Sequence, residues 1–65
     1  MDVVLNGKAI ATAARVLSEL VAEHVLADAK VATALNGNFV AEVSRSATPL
    51  QPGDSIEIVS PRQGG

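Results

Sequence analysis

The sequence predicts one α+β domain: a small mixed sheet of four to five strands with a single helix packed across one face. Three observations carry that expectation. Asn-Gly occurs twice, at Asn6-Gly7 and Asn36-Gly37, each time between short apolar runs, which is the pattern of a two-residue hairpin turn. One stretch, beginning at position 13, repeats its apolar residues at helical spacing. Toward the end, Ile56 and Ile58 alternate with Ser55, Glu57 and Val59, as in a strand with one buried face.

Taken in order, the β-branched start Val3-Val4-Leu5 and the Asn6-Gly7 turn predict a hairpin of Asp2–Leu5 with Lys8–Ala11. Ala13, Val16, Leu17, Leu20, Val21 and His24 then fall on one side of a 3.6-residue wheel, opposite Arg15, Ser18, Glu19 and Glu23. They predict an amphipathic helix from position 13 that ends between positions 24 and 26. Thr12 is the candidate cap, although no Glu or Gln follows three residues later to complete a capping box. After Asp28-Ala29-Lys30, the segments 31–35 and 38–40 flank Asn36-Gly37 as a second hairpin. Residues 41–51 show no sustained period and read as a loop anchored by Leu50; Pro52-Gly53-Asp54 then turns the chain into the last strand, 55–59. If the first and last strands are neighbours, the crossover between them makes them parallel and central.

Composition narrows the function. A chain of 65 residues buries only about 60% of its unfolded surface, which leaves little room for a catalytic cleft. The net charge is −2, the five basic residues are scattered singly from Lys8 to Arg62, and Phe39 is the only aromatic, so nucleic acid is a poor partner. There is no cysteine, hence no disulfide framework and no thiolate metal site. The start lacks the pattern of a secretory signal, and no run approaches the ~18 apolar residues of a membrane span. A cytoplasmic protein, unprocessed at its amino end and making no membrane contact, is expected.

The side chains offer no catalytic set. His24 is the only histidine, and its place in the apolar arc predicts a packing role near the helix end rather than a ligand or a base. Glu19 and Glu23, one turn apart, are read as a solvated face rather than a metal pair. The Asn-Gly and Pro-Gly segments each bring one glycine to a tight turn, too few for a phosphate cradle.

The tail is the informative stretch. Residues 60–65, Ser-Pro-Arg-Gln-Gly-Gly, follow the sheet and span about 20 Å when extended, enough to carry a carboxylate deep into another protein. The domain is therefore divided into a folded body, 1–59, and a flexible tail, 60–65. Gly64 and Gly65 lack side chains, so a partner can close a channel tightly around them. Pro61 and Arg62 stiffen the base of the tail and supply a docking charge. A carboxylate becomes an acyl donor once ATP converts it to an acyl adenylate, which sulfide or a persulfide then turns into a thiocarboxylate. On this reading the protein is a carrier whose reactive group is its own end, and other proteins supply the catalysis.

"VATALNGNFV", "TPLQPGDSIEIV" and the terminal "QGG" together resemble the thiamine-biosynthesis sulfur carrier family (ThiS-type), small β-grasp proteins related in fold to ubiquitin. The resemblance spans essentially the whole chain. It implies that the Gly65 carboxylate is adenylated by a ThiF-type adenylyltransferase using ATP and magnesium, with no cofactor or metal bound by the carrier itself. It further implies conversion to a thiocarboxylate with sulfur derived from a cysteine desulfurase, and presentation to a ThiG-type thiazole synthase. Gly65 is then the acyl donor, Gly64 the slender neck, and Gln63 and Arg62 the adjoining tail contacts. Three alternatives stay open at this point. One is a molybdopterin-type sulfur carrier; another is a non-catalytic β-grasp interaction module of the TGS type; the third is a ubiquitin-like modifier joined to lysines.

Overall fold

The computed structural model describes residues 1–26 and 29–60. Its elements are β1 (Asp2–Leu5), β2 (Lys8–Ala11), α1 (Leu17–His24), β3 (Ala32–Leu35), β4 (Asn38–Val40), a 3₁₀ helix (Glu42–Ala47) and β5 (Ser55–Val59). Both hairpins turn on Asn-Gly with two successive positive φ angles, 51° and 83° at Asn6-Gly7 and 50° and 85° at Asn36-Gly37. That is the type I′ turn whose twist matches that of paired strands, and asparagine tolerates its first position better than other side chains do.

The five strands form one sheet in the order β2-β1-β5-β3-β4. The last strand is thus the middle one, parallel to β1 (Leu5 beside Ile56) and antiparallel to β3 (Leu35 beside Ile56, Thr33 beside Ile58). The strand period of two then decides which side chains share a face. Val3 with Ile10, Ile56 with Leu35, and Ile58 with Thr33 and Val40 line one side. Leu17 and Leu20 of α1 are fully buried against it, and Leu50 and Ala14 close the core.

The helix begins four residues later than its periodicity predicts. Val16 is extended (φ −130°) and bridges to Pro49, while the Leu17 N–H donates to the Thr48 carbonyl and the Leu50 N–H to the Arg15 carbonyl, both at 2.9 Å. These bonds hold positions 15–17 as a strand-like connector and preclude a helix there. Thr12 therefore caps a turn rather than the helix: its hydroxyl accepts the Ala14 N–H at 3.0 Å and donates to Glu23 Oε1 at 2.6 Å. Glu19, the third residue of α1, reaches back to accept the Arg15 N–H at 2.7 Å, which is half a capping box shifted by one residue. Thr12→Val strands the buried Ala14 N–H and should cost about 1–2 kcal/mol in urea unfolding. Glu23→Gln keeps an acceptor for the hydroxyl and should cost less than half of that.

The expected loop at 41–51 contains the 3₁₀ helix, with the Ser44 N–H bonded to the Ala41 carbonyl and the Thr48 N–H to the Arg45 carbonyl. A period of three over six residues imitates neither strand nor α-helix, so periodicity does not detect it. From it Arg45 turns inward and is buried. Its Nε donates to Thr33 Oγ1 at 3.0 Å and its Nη2 to the Val31 carbonyl at 2.7 Å; the Thr33 hydroxyl in turn donates to the Val40 carbonyl at 2.7 Å. Arg45 thereby ties the 3₁₀ helix to β3 and, through Thr33, to β4.

Candidate functional site

The residues singled out in the tail, Arg62, Gln63, Gly64 and Gly65, lie outside the described residues, as does Pro61. What the structure describes is the strand that leads into them. β5 is the central strand, bonded on both sides, and Ser60 follows it directly.

Two asparagines hold β5 at opposite ends. On the β1 side, the Val4 N–H donates to the Asp54 carbonyl at 2.8 Å and the Asn6 N–H to the Ile56 carbonyl at 2.9 Å. Beyond Asn6 the backbone turns away into the hairpin, and the Asn6 side chain takes over. Its Oδ1 accepts the Ile58 N–H at 2.9 Å, and its Nδ2 donates to the Ile58 carbonyl at 3.1 Å. On the β3 side, Asn36 treats the start of the strand similarly: its N–H donates to the Ser55 carbonyl at 2.7 Å and its Oδ1 accepts the Ser55 N–H at 2.9 Å. Its Nδ2 donates to Asp54 Oδ1 at 3.1 Å, and Asp54 Oδ2 in turn accepts the Gln51 N–H at 2.8 Å.

The sheet face away from α1 is apolar in part. Phe39 pairs with Ala34, which pairs with Glu57, and Val59 pairs with Ala32, so these side chains share that outer face. Phe39 is 73% exposed and Val59 55%. Exposed large apolar residues on a sheet that leads into the tail are a surface suited to a protein partner.

His24 corrects the expectation of a packed side chain. His24 shares the inward arc of Leu17, Leu20 and Val21, but as the last residue of α1 it is exposed, its Nε2 3.9 Å from Glu23 Oε1. The expected solvated face also has more structure than its charges suggest, since Glu19 and Glu23 are both exposed and both hydrogen-bonded to the connector before the helix. Among the described residues, no three His, Asp or Glu side chains are grouped to hold a metal ion, and no helix is long and apolar enough to cross a membrane. Sequence reasoning missed Arg45 and the side-chain role of Asn6. The partners of both are distant along the chain, and the one local signal was the repeated "LNG".

Comparison with known proteins agrees with the geometry. The model of the ThiS family matches residues 3–65. Among solved structures, the chain is similar to a thiamine biosynthesis protein (ThiS) from Geobacter metallireducens, with a TM-score of 0.80, 29% sequence identity and 100% of each chain covered. The fold shared with that protein is the β-grasp. Comparison with curated protein sequences finds no match.

Proposed function

Since this chain belongs to the ThiS family, we propose that it is the sulfur carrier for building the thiazole ring of thiamine, a protein substrate and not a catalyst. The observation that carries the reading is the family match itself, which runs over the whole sheet and on through Gly64 and Gly65. The fold supports it: the body offers a central strand leading to the tail and an apolar outer face.

In the first step an oxygen of the Gly65 carboxylate attacks the α-phosphorus of magnesium-bound ATP in a ThiF-type adenylyltransferase. Pyrophosphate leaves, and the carbonyl now bears AMP as a leaving group. Hydrosulfide attack on that carbonyl expels AMP and leaves the thiocarboxylate. If a desulfurase-derived persulfide attacks instead, the product is an acyl disulfide, and a second thiol cleaves it to the thiocarboxylate and a protein disulfide. Thiazole synthase then takes the sulfur. Gly64 keeps the neck narrow enough for a closed channel, while Gln63 and Arg62 supply contacts along it.

With the adenylyltransferase, magnesium and labelled pyrophosphate, the chain should support exchange of label into ATP; no exchange above the enzyme alone overturns the reading. The outer sheet face is the proposed docking surface for this enzyme, because a partner seated over Val59 lies beside the end of the strand from which the tail continues. Phe39→Asp should therefore raise KM for the carrier about tenfold with little change in kcat. An unchanged KM would place docking elsewhere.

A further inference from the structure

We propose that Asn36-Gly37 is a site at which the chain modifies itself by deamidation, and that Asp54 and Ser55 set how fast the modification runs. The inference stands apart from the carrier reading and needs no partner.

In an Asn-Gly pair the glycine N–H can lose its proton to solvent, and the nitrogen then attacks Cγ of the asparagine side chain. The Cγ–Nδ2 bond breaks, Nδ2 leaves as ammonia after taking a proton from solvent, and a five-membered succinimide closes. Water opens the ring at either carbonyl, which leaves aspartate or isoaspartate. One water is consumed and one ammonia released, with no oxidant, reductant or cofactor. Asparagine owes its thermal lability to such chemistry, and a glycine next in sequence leaves the attacking nitrogen unobstructed.

Both turns offer that nitrogen: Gly7 and Gly37 are exposed, and a Cβ added to either would meet nothing within 4 Å. The fold controls the other partner in the reaction. Ring closure requires the carboxamide to swing onto the following backbone nitrogen, and both polar atoms of each carboxamide are held elsewhere. At Asn6, Oδ1 accepts the Ile58 N–H at 2.9 Å and Nδ2 donates to the Ile58 carbonyl at 3.1 Å. These are backbone groups of one half-buried residue in the central strand, so Asn6 comes free only by breaking both bonds together. At Asn36, Oδ1 accepts the N–H of Ser55, the exposed first residue of β5, and Nδ2 donates to Asp54 Oδ1. The second of these bonds depends on a side chain, and rotation of Asp54 removes it, leaving only the bond to Ser55. Position 36 therefore reaches the reactive geometry more often and is modified first.

Modification alters the turn irreversibly. A carboxylate at position 36 still accepts the Ser55 N–H, but it has no N–H for Asp54 Oδ1, which lies 3.1 Å from Nδ2, and it sets like charges against each other there. Isoaspartate also adds a main-chain carbon to a two-residue turn whose φ angles of 50° and 85° fix the β3–β4 register. The modified chain is thus less stable than the original, with the start of β5 loosened.

Asn6 is the reference within the same molecule, because both sites read Leu-Asn-Gly and react alike once the fold is gone. Peptide mass mapping after incubation in warm, mildly alkaline buffer reads each event as the replacement of NH by O. In guanidinium chloride that unfolds the chain, the two sites should react within about twofold of each other and at least about tenfold faster than in the folded protein. In the folded protein, position 36 should react at least about threefold faster than position 6. Asp54→Ala should speed position 36 by a further factor of about three or more and leave position 6 within about twofold of its wild-type rate. A parallel rise at both positions would report general destabilisation and overturns the role of Asp54. Position 6 reacting as fast as position 36 in the folded wild-type chain, or folding that slows neither site, overturns the inference whether or not the variant folds.

Discussion

Deleting Gly65 is expected to abolish sulfur delivery while leaving the domain folded. The sheet and core are complete by Val59, so the truncated chain should unfold at the same urea concentration as the full one. It still ends in a carboxylate, on Gly64, with the same intrinsic chemistry. What changes is reach, which shortens by about 3.3 Å, several times the tolerance of a site built to hold an acyl carbon in line with a phosphorus or a sulfur. Transfer to thiazole synthase should fall at least about 100-fold. A truncated chain that retains a tenth of the wild-type rate would mean that Gly65 is not the acyl donor.

The second large effect concerns Arg45. Its residue surface is 8% exposed, and among the described residues no carboxylate pairs with it; Thr33 Oγ1 and the Val31 carbonyl accept its hydrogen bonds. Two terms oppose each other on its removal. Hydrogen bonds from a charged donor contribute about 1.5–3 kcal/mol each, whereas keeping a guanidinium away from water costs several kcal/mol. Arg45→Ala loses the bonds, leaves the Val31 carbonyl without its donor and opens a cavity where the aliphatic stem packed, so destabilisation of about 2–4 kcal/mol is expected. Arg45→Met refills the cavity and removes the desolvation cost, and should recover more than half of the loss. The difference is large for a domain of this size, whose total stability is on the order of 3–10 kcal/mol. Urea midpoints at constant m measure both variants, and an Arg45→Ala protein within about 0.5 kcal/mol of wild type would show that the latch contributes nothing.

Local chemistry explains which parts of the fold could be read in advance. The bounds of β1, β2 and β5 follow from Asn6-Gly7, Pro52-Gly53 and two-residue alternation, signals that lie within a few residues of the structure they specify. The helix start was misplaced because positions 13–16 obey helical spacing, yet Thr48, Pro49 and Leu50 claim their backbone. The exposure of His24 has a different origin: periodicity places it on the inward arc with Leu17 and Leu20, but it is the last residue of α1, and period alone does not tell where a helix stops being covered. Arg45 looks like any surface arginine until Val31 and Thr33 are brought beside it. "LNG" was legible as a turn at both sites, but the second use of Asn6 depends on Ile58, 52 residues away. The proposed reactive end is the reverse case: Gly64-Gly65 lie outside the described residues, and the role proposed for them rests on chemistry performed by partners.

Intact-mass spectrometry tests that meaning most directly. The full chain, incubated with ATP, magnesium, the ThiF-type adenylyltransferase and a sulfide source, should gain the mass of one oxygen replaced by sulfur. Fragmentation should place the whole gain on Gly65. An unchanged mass under conditions where the enzyme adenylates another ThiS-family carrier, or a gain located anywhere but the C-terminal glycine, would contradict the carrier function.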